Sequence, residues 1–249
     1  MPMSRFLLAA AVVLAAGNAA ARNFTHTYEA TIADPDEVEY AQWATLSRRA
    51  ENDRGLTRLD FRHELEAGLS ERWQAALYLD WRYLDSDVEP DDDMEFLDVA
   101  AESIYQISDP TSRPWGLALY GEVKLGDEIV ALEPKLIVQK NLGPWILAWN
   151  LAAEAEWEGR DYEEDNAVVG QTLGISRRLG GDWRLGAEFT HEVEYADCSG
   201  WESPVVYGGP ALSYHGHEWW FALSPMTQLS DVDDEADIRV RLILGVEFE

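Results

Sequence analysis

Cysteine is almost missing from this sequence: Cys198 is the only one in 249 residues, so no disulfide can form within the chain. Histidine is scarce as well, with five residues. Basic residues number 19 against 47 acidic ones, for a formal charge of −28. A chain this acidic offers no basic surface to a nucleic-acid backbone, which excludes that class of partner. Long apolar runs are absent too. Beyond residue 21, no stretch nears the ~18 apolar residues from which a transmembrane helix is read.

The one long apolar run stands at the beginning. Arg5 precedes the apolar stretch from Phe6 to Ala16, and Ala19-Ala20-Ala21 supplies small residues for cleavage. This is the pattern of a secretory signal. The expected organisation is a signal peptide over 1–21, an N-terminal periplasmic segment over 22–37 and a β-barrel over 38–249. An exported chain without a disulfide must be held by its core, its sheet or its lipid surroundings. Cys198 lies in the polar stretch Ala196 to Gly200, and no histidine pairs with it by any motif, so it reads as a loop thiol.

After the signal the dominant period is two, the signature of half-buried strands. Leu59, Phe61, Leu65, Ala67 and Leu69 share one face, while Asp60, Arg62, Glu64 and Glu66 share the other. Only Ser70-Glu71-Arg72 separates this run from the next, which predicts a hairpin. Twelve strands follow, over 38–47, 57–69, 73–84, 96–107, 115–125, 129–140, 145–157, 167–179, 183–195, 204–214, 219–229 and 237–249. The alternation is weakest in the first and tenth. Each is long enough for the ~9–11 residues of a tilted membrane strand. Pro134, Pro210 and Pro225 fall inside strands and predict bulges or short breaks, because proline gives no ladder donor.

The links alternate between short turns (70–72, 108–114, 141–144, 180–182, 215–218) and longer polar loops (48–56, 85–95, 158–166, 196–203, 230–236). The link near Gly126-Asp127-Glu128 is a short exception. Short turns on one side and long loops on the other describe an up-and-down outer-membrane barrel. Five strands open on tryptophan after a short turn, at Trp73, Trp115, Trp145, Trp183 and Trp219. Their shared register predicts an aromatic belt at a membrane interface. A soluble sandwich or lipocalin-like barrel also has period two, but it has no use for such a belt. The last strand alternates Ile238, Val240, Leu242, Leu244, Val246 and Phe248 with polar residues, and Glu249 follows the terminal aromatic.

The fold class expected is therefore all-β: one closed antiparallel transmembrane barrel of about twelve strands, with short periplasmic turns and longer acidic outer loops. Tyr105 to Pro110, Gly116 to Glu122 and Glu133 to Lys140 resemble proteobacterial outer-membrane barrels grouped as porins or transporters and largely uncharacterised. The resemblance covers about a third of the chain. It implies a barrel in the outer membrane and brings no catalytic residues.

In this register the lumen is charged. Asp60, Glu64, Asp80, Glu122, Glu133, Glu154, Glu188 and Glu192 face it, as do Arg58, Arg62, Arg82, Lys124, Lys135, Arg184, Arg239 and Arg241. Glu66, Asp98, Glu102, Glu156 and Glu194 add to the acidic excess. Such groups either form ion-pair ladders that hold the wall or line a conduit that selects solutes by charge. The excess of acids favours cations and neutral polar solutes, so the leading expectation is a narrow porin or transporter. A structural or interaction barrel is the second, with acidic loops (85–95, 161–165 and 231–235) binding divalent cations, lipopolysaccharide or a partner. A hydrolase is the third, resting on His63 or His191, but no Gly-x-Ser-x-Gly elbow supports it. His215-Gly216-His217 supplies only two imidazoles to a metal. No enzyme activity, cofactor or resident metal is expected. The partners expected are outer-membrane lipid, lipopolysaccharide and the outer-membrane assembly machinery.

Overall fold

The computed structural model describes residues 21–88, 94–159, 162, 164–196, 198 and 200–248. The signal segment, apart from Ala21, and parts of the acidic loops 85–95 and 161–165 lie outside the described residues.

Among the described residues there are thirteen strands: β1 (Val38–Arg48), β2 (Thr57–Ser70), β3 (Trp73–Asp85), β4 (Met94–Ser108), β5 (Gly116–Gly126), β6 (Ile129–Leu142), β7 (Trp145–Glu158), β8 (Glu164–Gly180), β9 (Trp183–Ala196), β10 (Gly200–Trp201), β11 (Val205–His215), β12 (Trp219–Gln228) and β13 (Ile238–Phe248). Twelve of them form one antiparallel ring. β9 pairs with both β8 and β11, and β13 closes the circle on β1, from Val38 opposite Phe248 to Arg48 opposite Ile238. The two-residue β10 folds back and pairs antiparallel with the outer end of β9. The twelve-strand up-and-down barrel expected from the period is therefore the fold, with one short strand added. Closure leaves the ring without a free edge, so its backbone donors and acceptors are paired.

The strands begin and end where turn chemistry dictates. Gly143, at φ 60°, opens the two-residue turn between β6 and β7, and Gly181, at φ 55°, serves the turn between β8 and β9. The prolines interrupt pairing without shifting it. Pro210 and Pro225 stand opposite each other, and the β11–β12 ladder stops between Gly208–Thr227 and Leu212–Leu223, then resumes in register. Around Pro134 the β6–β7 ladder likewise skips from Leu132–Ala155 to Lys135–Ala152. True register shifts fall elsewhere, at Gly68/Ser70, Asp80/Trp81, Gln106/Ser108 and Arg178/Gly180.

The outer surface is apolar. Leu65, Leu77, Leu79, Leu119, Leu173 and Leu244 point outward and are exposed. Trp73, Trp115, Trp145, Trp183 and Trp219 also point outward, at the short-turn end, between 39% and 51% exposed. Lys140 lies 4.2 Å over the Trp115 ring and Arg177 5.5 Å from that of Trp145, so cations stand among the indoles.

The interior differs from expectation in one major respect. Of residues 22–37, expected to form an N-terminal periplasmic segment, 22–33 run inside the barrel, while Asp34, Pro35 and Asp36 are exposed. Phe24, Tyr28, Ala30 and Ile32 are buried there, packed against inward residues such as Ala41, Trp43, Ala148, Ala211 and Ile243. Small inner-face residues make the room: a Cβ on Gly174 would lie 2.8 Å from the Phe24 ring.

Candidate functional site

A chain threaded through a barrel has no strand beside it to satisfy its backbone, so wall side chains must do so. Glu188 on β9, fully buried, accepts the backbone N–H groups of Thr25, His26 and Thr27, each at 2.9 Å. It also accepts the hydroxyls of Thr25 and Ser224. Asn150 on β7 clasps Tyr28, accepting its N–H at 2.7 Å and donating to its carbonyl at 2.9 Å. Gln139 on β6 accepts from the Ala30 N–H at 2.7 Å, and Gln106 on β4 donates to the Ala30 carbonyl at 2.7 Å. Gln74 on β3 accepts from the Ala33 N–H at 2.9 Å. Five wall residues thus hold one extended segment across the lumen.

The segment separates two chambers. The one toward the long loops has a volume of about 910 Å³ and is lined by twelve carboxylates and six arginines or lysines. The one toward the short turns has a volume of about 280 Å³ and includes Arg22, Glu39, Glu64, Glu66 and Gln74. Tyr28 borders both.

In the outer chamber five of the six cations have a carboxylate partner, three of them across strands. Arg62 donates to Asp80 at 2.8 Å and to Glu122 at 3.1 Å. Lys124 bonds Glu154 and lies 3.9 Å from Glu122. Lys135 pairs with Glu133 at 3.1 Å, and Asp60 is shared by Arg82 at 2.7 Å and Arg58 at 3.2 Å. Arg239 reaches Glu235 at 3.5 Å. Arg241 has no carboxylate partner among the described residues. It donates instead to Thr45 Oγ1 at 2.9 Å and to the Thr25 carbonyl at 3.3 Å, which ties it to the threaded segment. Glu192 lines the same chamber. Of the other residues expected on the inner face, Glu64 and Arg184 belong to the inner chamber, and Glu188 is covered by the segment it binds.

The carboxylates on the inner-chamber wall (Glu39, Glu64 and Glu66) and Glu102 behind it are held differently. Trp43 Nε1 donates to Glu64 at 2.7 Å, and the Tyr78 hydroxyl stands in hydrogen-bonding distance between Glu64, at 3.0 Å, and Glu102. Trp220 Nε1 donates to Glu39 at 2.6 Å, and Gln74 Nε2 to Glu66 at 2.6 Å. None of these four carboxylates has a basic partner within 4.0 Å among the described residues. His215, expected in a turn, ends β11, and its Nε2 lies 3.2 Å from the Arg22 carbonyl.

Sequence reasoning missed the clasping residues Gln74, Gln106, Gln139 and Asn150. The available signal was their uncharged amides, all on the inward face among charged neighbours. The histidines weighed for hydrolysis face outward, where His63 Nδ1 shares a 2.8 Å hydrogen bond with Tyr40 OH and His191 stands opposite Gln171. At the long-loop end, the exposed Glu51, Asp231 and Asp233 bring carboxylate oxygens within 4.8 Å of one another. Nearby, the Ser86 hydroxyl and the N–H groups of Asp87 and Gly55 hold the Asp53 carboxyl below its ordinary range.

Solved structures share this architecture at low sequence identity. The NanC porin superposes with a TM-score of 0.56 at 10% identity, covering 85% of this chain and 99% of that one. The KdgM porin in complex with oligogalacturonate gives 0.51 at 12% identity, over 86% and 98%. The beta domain of the Bordetella autotransporter BrkA gives 0.54 at 14% identity, over 85% and 98%. At these identities the likeness establishes the fold alone. No curated protein matches the chain. The family described as "Family of unknown function (DUF6662)" matches residues 17–237, and the chain belongs to it.

Proposed function

We propose that the protein is an outer-membrane channel of the porin type, passing small cationic and neutral polar solutes past a constriction formed by residues 22–33. The observation that carries this reading is the 910 Å³ outer chamber with its twelve carboxylates and six cations. An excess of six negative charges within low-dielectric walls concentrates cations and repels anions. The apolar outer surface and the tryptophans at one end support a location in the outer membrane, in contact with its lipid and lipopolysaccharide. Export by the N-terminal signal goes with the same reading.

Planar-bilayer recording on the purified protein tests it. Under a potassium chloride gradient the reversal potential should have the sign of cation selectivity. A variant lacking residues 22–33 should conduct more and keep that sign. Anion selectivity, or no conductance from either protein at any voltage, would refute the reading.

A further inference from the structure

The inner chamber contains a cation that no wall residue supplies. The guanidinium of Arg22 lies 4.0 Å from the centroid of the Tyr28 ring and 4.7 Å from that of Trp43. Two aromatic faces around one cation is the arrangement by which proteins recognise organic ammonium and guanidinium groups. Both rings are made more electron-rich by hydrogen bonds to carboxylates. Trp43 Nε1 donates to Glu64 at 2.7 Å, and Tyr28 OH donates to Glu102 at 3.3 Å. Glu39 and Glu66 line the same chamber.

Arg22 does not saturate the cradle. Arg22 Nη1 and Glu102 Oε1 are both buried without a hydrogen-bond partner, and Glu102 as a whole is only 3% exposed.

We infer that this cradle is a binding site for guanidinium or alkylammonium solutes and that Arg22 occupies it as a tethered competitor. The inference rests on the channel reading and names the class of solute that would pause within it. An organic cation entering the lumen would exchange with Arg22 for the same aromatic faces and carboxylates. A small inorganic cation gains little from two aromatic faces and would not compete equally.

The test is an ethylguanidinium titration of the full chain in detergent, read by tryptophan fluorescence. In Arg22→Ala the cradle is emptied, while Glu188, Asn150 and Gln139 still hold the segment. Saturable binding is expected, about tenfold or more stronger than in the unaltered protein, where a tethered arginine competes at an effective concentration of order millimolar or above. Adding Glu64→Gln should weaken it again. If Arg22→Ala does not fold, Arg22→Gln retains more of the stem and takes the same titration. Equal binding with and without Arg22, an equal response to sodium chloride, or no binding in a folded variant would each overturn the inference. Failure here beside cation-selective conductance leaves the channel reading standing, and binding without any conductance does the reverse.

Discussion

Replacing Glu188 with alanine should unseat the threaded segment while leaving the barrel closed. Three consecutive backbone N–H groups, those of Thr25, His26 and Thr27, end on this one carboxylate at 2.9 Å. A buried donor left without an acceptor costs ~1–3 kcal/mol, so three cost ~3–9 kcal/mol before relaxation. The vacated side chain leaves room for water in a polar setting, which brings the net figure to the lower end, ~3–4 kcal/mol. That corresponds to ~10²–10³-fold in the seating equilibrium. Amide hydrogen exchange reads this directly, and the amides of residues 25–27 should exchange faster by about that factor. The wall survives because position 188 is held through backbone pairing with Gly174 on β8 and Gly209 on β11. Barrel amides should therefore keep their protection. Glu188→Gln retains one acceptor oxygen but turns an amide donor toward N–H groups, and should fall between the two. Exchange at 25–27 within about threefold of the unaltered protein in the alanine variant would refute the argument that this carboxylate anchors the segment.

Three further outcomes follow from the same geometry. Gly174→Leu should expel Phe24, whose ring lies 2.8 Å from the position of the new Cβ, and expose the segment to chymotrypsin with the barrel intact. Arg62→Ala should strand Asp80 and Glu122, which it holds at 2.8 and 3.1 Å. Equilibrium unfolding in urea should show a loss of about 2–4 kcal/mol, moderated because the chamber admits water. Leu79→Arg, on the outward face midway along β3, should cost ~2–4 kcal/mol in lipid vesicles, whereas Trp73→Arg near the interface should cost ~0–1 kcal/mol. Equal penalties at the two positions would argue against a membrane spanned by β3.

How much of this was legible beforehand follows from the range of each interaction. Strands were readable because the two-residue period is local: Leu65, Leu77 and Leu79 alternate with Glu64, Tyr78 and Asp80 whatever lies far along the chain. Turn chemistry at Gly143 and Gly181 is local too, and the tryptophans at 73, 115, 145, 183 and 219 advertise their own register. The inward face of the charged residues followed from that period alone. The prolines showed its robustness, since they broke pairs without moving the register.

The threaded segment was not legible. Its partners are separated from it by 41 residues at Gln74 and 163 at Glu188, and they share an axis only after β13 has closed on β1. Glycine at 174 and alanine at 148 and 211 look like ordinary small strand residues until Phe24 is found beside them. Arg22 shows the difference most plainly: in the sequence it stands first after the expected cleavage site. In the closed barrel it lies between Tyr28 and Trp43. The sequence by itself determined the wall, because alternation and turns act over a few residues. Only the tertiary structure decided what fills the lumen, because that depends on side chains from many strands converging across the ring.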